Sequence, residues 1–447
     1  MNGHRNDSSS ASARLRGLQS VLSEEVIYSR IGDQLQTRHC RRLLNIDVVW
    51  LIVGFGLFSD KSYRSIFRYC HDQNVLVPIR ATLTLARRRL SADLLRKLYQ
   101  GVVTLLAKSK TPSAFYHGMR LMAIDGTLLD CPDTDANRQE FGRVENQNSL
   151  GAFPKVRVVS LCEIATRVLW RSNIGTYHQS EQKLVLPLLD HLSPKMLLLA
   201  DRHFGVAPII YPLIHRKNLF LVRVKKSQYF PVQERLPDGS FLSTIYQHKN
   251  DRRSGRPGKT VRVIRYRHMD RNRPHRGELH VLLTNLLDPI KYPALELIDL
   301  YHQRWEEEIA FSEWKVLMCK SRVLRSQSPE MVRQEIWGML IAHFIIRKLI
   351  FEAAEIKKVS PSEISFTGAF DILHARLPDV PRAKRLRKQW YKGLIHEIAQ
   401  EQLPTRANRI NPRKLKKRSK AWPTKRDRDR SPPKPKGQFV DSVRISI

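Results

Sequence analysis

Two aspartates and one polar stripe are the parts of this 447-residue chain best suited to chemistry. Asp125 follows the apolar run Leu121–Ile124, and Asp201 follows Met196–Ala200. Each run reads as a short buried strand, with Gly126 marking a turn behind the first. Strand ends of an α/β sheet deliver their side chains to a common crevice. Carboxylates gathered there repel one another and are desolvated, and a divalent cation between them relieves both effects. Taken singly, either aspartate is equally well explained as a cap or turn residue.

The third feature is the segment YHQRWEEEIAFSEWK, which carries Tyr301, Arg304, Glu308 and Lys315. On one continuous helix these fall at about 0°, −60°, −20° and −40°. Trp305, Ile309 and Val316 fall at about +40° to +80°, so the polar stripe is expected along the rim of an apolar face. The bland alternative is an exposed i, i+4 salt-bridged face such as Arg304–Glu308, worth only a few tenths of a kcal/mol. Glu306, Glu307 and Glu313 are assigned to that surface class. Among the histidines, which show no metal-type pairing, His343 on an apolar helix reads as a packed or hydrogen-bonded residue.

The elements that must position these residues are legible in outline. Residues 1–17 read as a disordered N-terminus. Residues 18–115 have helical periodicity, with Ser91 placed to cap one helix and a basic cluster at Arg80, Arg87, Arg88 and Arg89; this is expected to be a helical DNA-binding domain, the alternative being a plain helical subdomain with a solvated basic face. From 116 to 224 the order β-β-β-α-β-α-β implies an α/β domain with a mixed sheet. Residues 225–290 carry turn signals and strand alternation, and Asp251 to Arg276 holds ten Lys/Arg against two acids. They read as a β-rich basic insertion. Residues 291–355 return to the core with the Glu308 helix, and 356–405 form a helical C-terminal region. Residues 406–447, with fifteen Lys/Arg against three acids, read as a basic disordered tail. The fold class is therefore α/β (mixed α+β) with an added helical N-terminal domain.

Composition narrows the function. Lys+Arg number 78 against 42 Asp+Glu, a formal net charge of +36. Such an excess repels itself unless a polyanion accompanies it, and nucleic acid supplies one through counterion release. The longest apolar run, Val48–Phe58, is far short of the roughly 20 residues of a membrane span. The N-terminus lacks a signal-peptide core, and the five scattered cysteines fit a reducing cytoplasm. No phosphate-binding loop of the GxxxxGK[ST] type occurs, so neither ATP nor a membrane is expected as a partner.

The spacing Tyr-x2-Arg-x3-Glu-x6-Lys of Tyr301, Arg304, Glu308 and Lys315 resembles the YREK signature of the insertion-sequence-4 family of DDE transposases. Asp125-Gly126-Thr127, followed by Asp133-Thr134, Asn137 and Phe141-Gly142, is similar to that family's first-aspartate block. Ala200-Asp201-Arg202-His203-Phe204 is similar to its second, and Leu324-Arg325-Ser326 through Arg333-Gln334-Glu335 to the stretch after the glutamate. The resemblance runs over about residues 20–350. It implies an RNase H-like catalytic core interrupted by the β-rich insertion. Asp125, Asp201 and Glu308 would bind two Mg²⁺ or Mn²⁺ ions for phosphodiester hydrolysis and transesterification on DNA. Tyr301, Arg304 and Lys315 would position phosphates. It further implies cut-and-paste transposition through a hairpin intermediate, with a flipped base stacked on an aromatic residue; that position here is His280, and Tyr266 or Tyr292 are the substitutes. Asp130, Asp133 and Asp135 are the alternative ligands, disfavoured because only Asp125 directly follows the buried run. The expected partners are double-stranded DNA, both transposon ends and target, and a second copy of the chain in a synaptic homodimer. The expected location is the bacterial cytoplasm, on nucleoid DNA. A nuclease on the same fold without strand transfer, or a repurposed non-catalytic DNA-binding protein, are the competing readings.

Overall fold

The apolar run too short for a membrane forms most of a helix, Asn45–Leu57, every residue of which is buried. The computed structural model describes residues 15–18, 21–22, 24–35, 43, 45–70, 76–146, 149–248, 250–270, 276–320, 323–381, 383–404, 438 and 440–445. These divide into two units, Met1–His191 with Glu306–Leu403, and Leu192–Trp305 with Pro404–Ile447. Among the described residues no helix is long and apolar enough to cross a membrane.

In chain order the first unit begins with helices α1 (Glu24–Leu35), α2 (Asn45–Leu57), α3 (Tyr63–Cys70), α4 (Arg80–Arg88) and α5 (Ala92–Val102). Ser91 caps α5 as expected, accepting from Leu94 N at 3.1 Å. Strands β1 (Phe115–Tyr116) and β2 (Met119–Asp130), helix α6 (Asp135–Phe141), the small hairpin β3 (Glu145–Asn146) and β4 (Ser149–Leu150), then β5 (Lys155–Glu163), β6 (Val168–Thr176) and α7 (Glu181–Val185) follow. Here β2, β5 and β6 form an antiparallel run, with β1 folded back on the start of β2.

The second unit contributes β7 (Met196–Ala200), α8 (Ala207–His215), β8 (Leu219–Val224), β9 (Glu234–Arg235), β10 (Phe241–Ile245), β11 (Lys259–His268), β12 (His280–Thr284) and α9 (Ala294–His302). Strands β7 and β8 are parallel through the α8 crossover. In the span read as a β-rich insertion, β12 pairs antiparallel with β8 and continues the same sheet through β11, β10 and β9. One of its basic residues, Arg262, is fully buried. It donates to Ser240 Oγ at 2.8 Å and to the carbonyls of Leu286 at 3.2 Å and Tyr292 at 2.7 Å, and pairs with Asp238.

The chain then returns to the first unit with α10 (Trp305–Ser312), a wide π-type turn at Glu313–Met318, and helices α11 (Pro329–Lys357), α12 (Phe366–Arg376) and α13 (Lys384–Ile398). Of the N-terminal helices, α2 and α5 share one apolar core with α11, α12 and α13. Glycines allow the α2–α11 approach. A Cβ on Gly338 would lie 2.5 Å from the Ile52 carbonyl oxygen, and one on Gly56 2.6 Å from Ala342 Cβ. The expected disordered N-terminus and basic tail fall largely outside the described residues. The tail reading is corrected at its far end, where β13 (Val443–Ile445) pairs with β11, Tyr266 opposite Ile445.

Candidate active site

In the first unit Asp125 lies in the middle of β2 rather than at its end. The strand runs on to Asp130, held by β5 at every step from Met122 opposite Glu163 to Asp130 opposite Lys155. Gly126 is therefore not a turn residue. A Cβ there would meet the Glu181 side chain at 2.8 Å, so glycine makes room for the Arg157–Glu181 ion pair beside Asp125. Asp125 is half-buried, and its Oδ1 accepts from Gly126 N at 2.8 Å. The alternative aspartates are in ion pairs: Asp130 with Lys155, Asp133 with Arg138 and Arg143, and Asp135 with Arg138.

The helical stripe expected from Tyr301 to Lys315 is broken in two places. Helix α9 ends at His302, where Gln303 N and Arg304 N bond three residues back, to Leu300 O and Tyr301 O. Helix α10 starts afresh at Trp305, and beyond Ser312 the backbone widens into the π-type turn, closed by Cys319 N to Trp314 O at 3.3 Å. Increments of 100° per residue do not carry across such breaks, so the expected faces fail as well. Trp305 and Val316 are exposed, whereas Glu307, Ala310, Glu313, Trp314 and Met318 are buried.

Glu308 itself is half-buried on α10. Its neighbours are not the surface acids that were expected. Glu313, 2% exposed, receives Arg167 Nη1 at 2.8 Å on one oxygen, with Arg347 Nε at 3.6 Å and His343 Nε2 at 3.4 Å on the other. Arg167 also donates through Nε to Glu306 Oε2 at 2.6 Å. Burial pushes the Glu313 carboxyl up, but the Arg347 and Arg167 guanidiniums and His343 outweigh it and hold it at about 2. Burial depresses His343, with the Arg347 and Arg167 charges acting the same way and its bond to Glu313 acting against them. Arg167 and Arg347 escaped the sequence reading. Arg347, four residues after His343 in an otherwise apolar stretch of α11, was the available signal, since a cation there requires a buried partner. Lys315, on the wide turn, donates Nζ to the Leu128 carbonyl of β2 at 2.7 Å. Burial lowers its pKa, and Asp130 works against that.

In the second unit Asp201 follows β7 directly, as expected. It is half-buried, and its Oδ1 accepts from His203 N at 2.8 Å, which fixes the carboxylate against its own turn. Gly205 closes that turn; a Cβ on it would sit 2.3 Å from the Arg223 carbonyl oxygen. The Tyr301 hydroxyl donates to Ala200 O at 3.2 Å, one residue before Asp201. Burial raises the Tyr301 phenol to about 12 even with Arg304 beside it. His280 stacks on Tyr266, ring centroids 5.0 Å apart at 21°, with His268 tilted against it at 5.8 Å. Tyr266 is buried and offers no open face. Among the described residues, no group of three or more His, Cys, Asp or Glu side chains is assembled as a metal site. The donor chemistry of Asp125, Asp201 and Glu308, carboxylate oxygens only, suits a hard divalent cation.

Comparison with known proteins places the chain in a family. A family model described as the transposase DDE domain matches residues 116–345, and one described as the insertion element 4 transposase N-terminal matches residues 12–100. The transposase InsG of insertion sequence element IS4 from Escherichia coli (strain K12) is 27% identical over 433 residues, covering 92% of this chain and 94% of that protein. The putative transposase InsZ of the same organism is 25% identical over 165 residues, 37% of this chain and 55% of that one. A cryo-EM structure of a piggyBac transposase synaptic complex with hairpin DNA matches with a TM-score of 0.41 and 14% identity, over 86% of this chain and 85% of that one. The chain belongs to the insertion-sequence-4 family of DDE transposases. The DDE domain implies an RNase H-like fold, the use of divalent metal and a DNA substrate that is cleaved and strand-transferred.

Proposed function

We propose that Asp125, Asp201 and Glu308 are the three acids of the DDE domain and together hold two Mg²⁺ or Mn²⁺ ions. The observation that carries this reading is that all three fall inside the matched span 116–345 and are half-buried on packed backbone, Asp125 within β2, Asp201 directly after β7 and Glu308 on α10. When bound, the ions would supply charge stabilisation for in-line displacement at phosphorus. The protein's part is to present carboxylate oxygens at fixed positions. The Tyr301 bond to Ala200 O steadies the end of β7 before Asp201, and the Lys315 bond to Leu128 O steadies the turn after Glu308. Arg304, with any remaining Lys315 donors, would meet DNA phosphates. His280, stacked on Tyr266, would be the ring that supports an unpaired base.

The substrate under this reading is double-stranded DNA, the terminal inverted repeats of the transposon together with a target, brought together by a homodimer. The reaction is cut-and-paste transposition, carried out in the bacterial cytoplasm on nucleoid DNA. The test is cleavage of DNA bearing the element's own ends with full-length protein and Mg²⁺, comparing wild type with Glu308→Gln. Cleavage at a fixed boundary and joining to target by wild type only, with both proteins binding the ends, supports the assignment. Equal cleavage by Glu308→Gln refutes it, and cleavage without joining by wild type returns the reading to a nuclease.

A further inference from the structure

The hairpin between β5 and β6 turns through Ile164-Ala165-Thr166-Arg167, and Arg167 adopts φ of 56°. That left-handed conformation crowds the Cβ of an L-residue and is the ordinary place for glycine. An arginine kept there must be compensated by its side chain, and Arg167 is buried with both ends of its guanidinium engaged. Nε reaches Glu306 and Nη1 reaches Glu313, seven residues further on, with Glu308 between them. Arg347 seals the same turn from α11, donating to the Thr166 carbonyl at 2.8 Å and pairing with Glu313.

We propose that Arg167 is a positioning residue for strand cleavage, fixing the helix that carries Glu308 against the strand pair that carries Asp125. The mechanical path lies wholly within the first unit. Asp125 on β2 is opposite Ser160 on β5, and the hairpin beyond β5 is bonded back to β2 by Ile164 N to Leu121 O at 3.2 Å. Arg167 extends from that hairpin to both flanks of Glu308, and Lys315 ties the following turn to β2 at Leu128. A lysine cannot span two carboxylates as a planar guanidinium does. Stability alone is a poor reason for such a cluster, because buried ion pairs are often replaceable by apolar residues of equal volume at no loss. Setting the distance between two metal ligands is a reason that apolar packing cannot supply.

This inference rests on Asp125 and Glu308 being ligands of one metal site, and the experiment separates the two failures. Full-length wild type, Arg167→Lys, Glu306→Gln, Arg87→Ala and Glu308→Gln are compared on end DNA. Thermal midpoint, end affinity, Mn²⁺ bound to the protein complexed with pre-cleaved ends (by electron paramagnetic resonance), and the Mn²⁺ dependence of cleavage are measured. Arg167→Lys is expected to bind ends normally yet to bind Mn²⁺ about tenfold more weakly, as loss of a group orienting a ligand does, with the cleavage midpoint moving in step. Glu306→Gln, a milder change at a half-buried site that keeps Glu313, is expected to move both in the same direction by less. Arg87→Ala lowers the thermal midpoint without moving the Mn²⁺ dependence. If Arg167→Lys and Glu306→Gln fold and keep wild-type Mn²⁺ affinity, Arg167 is only structural and the proposal falls. If Glu308→Gln keeps wild-type Mn²⁺ binding and cleavage, the ligand assignment beneath it falls instead.

Discussion

The Tyr301 hydroxyl donates to the carbonyl of Ala200 at 3.2 Å, so the tyrosine of the YREK spacing is joined to the residue that precedes Asp201. Within the second unit, the end of β7 is thereby held by a side chain about a hundred positions along the sequence.

Tyr301→Phe removes that donor and leaves a buried carbonyl underserved, at about 1 kcal/mol or somewhat more. Cleavage is expected to slow about fivefold or more, with end binding unchanged. Burial keeps the phenol protonated to about 12, so it remains a donor at any working pH. The variant's pH–rate profile should therefore run parallel to that of wild type below pH 10, and loss of a limb would instead assign Tyr301 a proton-transfer role.

The buried acid Glu313 has a pH signature. Its folded pKa of about 2 lies below the ordinary 4.5, so its contribution to stability is full above 4.5 and is lost as pH falls toward 2. His343, depressed below 6.5, acts in the same direction and begins to subtract stability once pH drops under 6.5. Wild type is expected to lose thermal stability in two stages on acidification. Glu313→Gln should cost about 3–5 kcal/mol at neutral pH, because it leaves Arg347 buried without its anion and Arg167 with Glu306 alone, and it should lack the second stage. Calorimetry across pH 3–8 decides; an unchanged second stage would remove Glu313 as its source.

The basic cluster of α4 is expected to split by role. Arg87 is fully buried, bonded to the Tyr63 hydroxyl at 2.6 Å, Ser326 Oγ at 3.1 Å and Met331 O at 2.9 Å, whereas Arg80 and Arg88 are exposed. Arg87→Ala should lower the thermal midpoint. Arg80→Ala with Arg88→Ala should leave it in place but weaken DNA binding and flatten the log–log salt slope by up to about 2. An unaltered slope would take this face out of the DNA footprint.

Replacing His280 by Ala removes the ring stacked on Tyr266. If His280 supports an unpaired base, the variant should bind and nick ends but accumulate fewer hairpin ends on a denaturing gel, and His280→Phe should restore them. Equal hairpin yield from His280→Ala would assign the ring to packing alone.

Strands and chemistry-bearing blocks were legible in the sequence where the signal is local. The runs leading to Asp125 and Asp201, helix Ala207–His215 and strand Leu219–Val224 each announce themselves by a continuous apolar stretch or a capping pattern. What escaped was set by distant partners. Asp125 is in mid-strand because β5 extends its pairing past Gly126, which no local rule reveals. Glu313 and Arg87 read as surface charges because a helical wheel cannot see Arg167 and Arg347, or Tyr63, arriving from elsewhere in the chain. The breaks at Gln303 and Glu313 likewise carry no local signal, since neither site has proline or glycine.

The wide turn at Glu313–Met318 makes this part of the chain intolerant of length change while leaving it tolerant of composition. Its closing bond reaches five residues back, one more than in an α-helix. Deleting one residue there would let an ordinary four-residue bond close in place of the wide one, so the side chains inside the turn would fall one position out of step with their present contacts. Among those contacts are the burial of Trp314 and Met318 and the bond of Lys315 to Leu128. Substitutions at the exposed Val316 and Leu317 disturb no such phase. The interval between Glu308 and Lys315 is thus kept by the geometry of a single turn, and drift in this segment should proceed by exchange of residues and not by gain or loss of them.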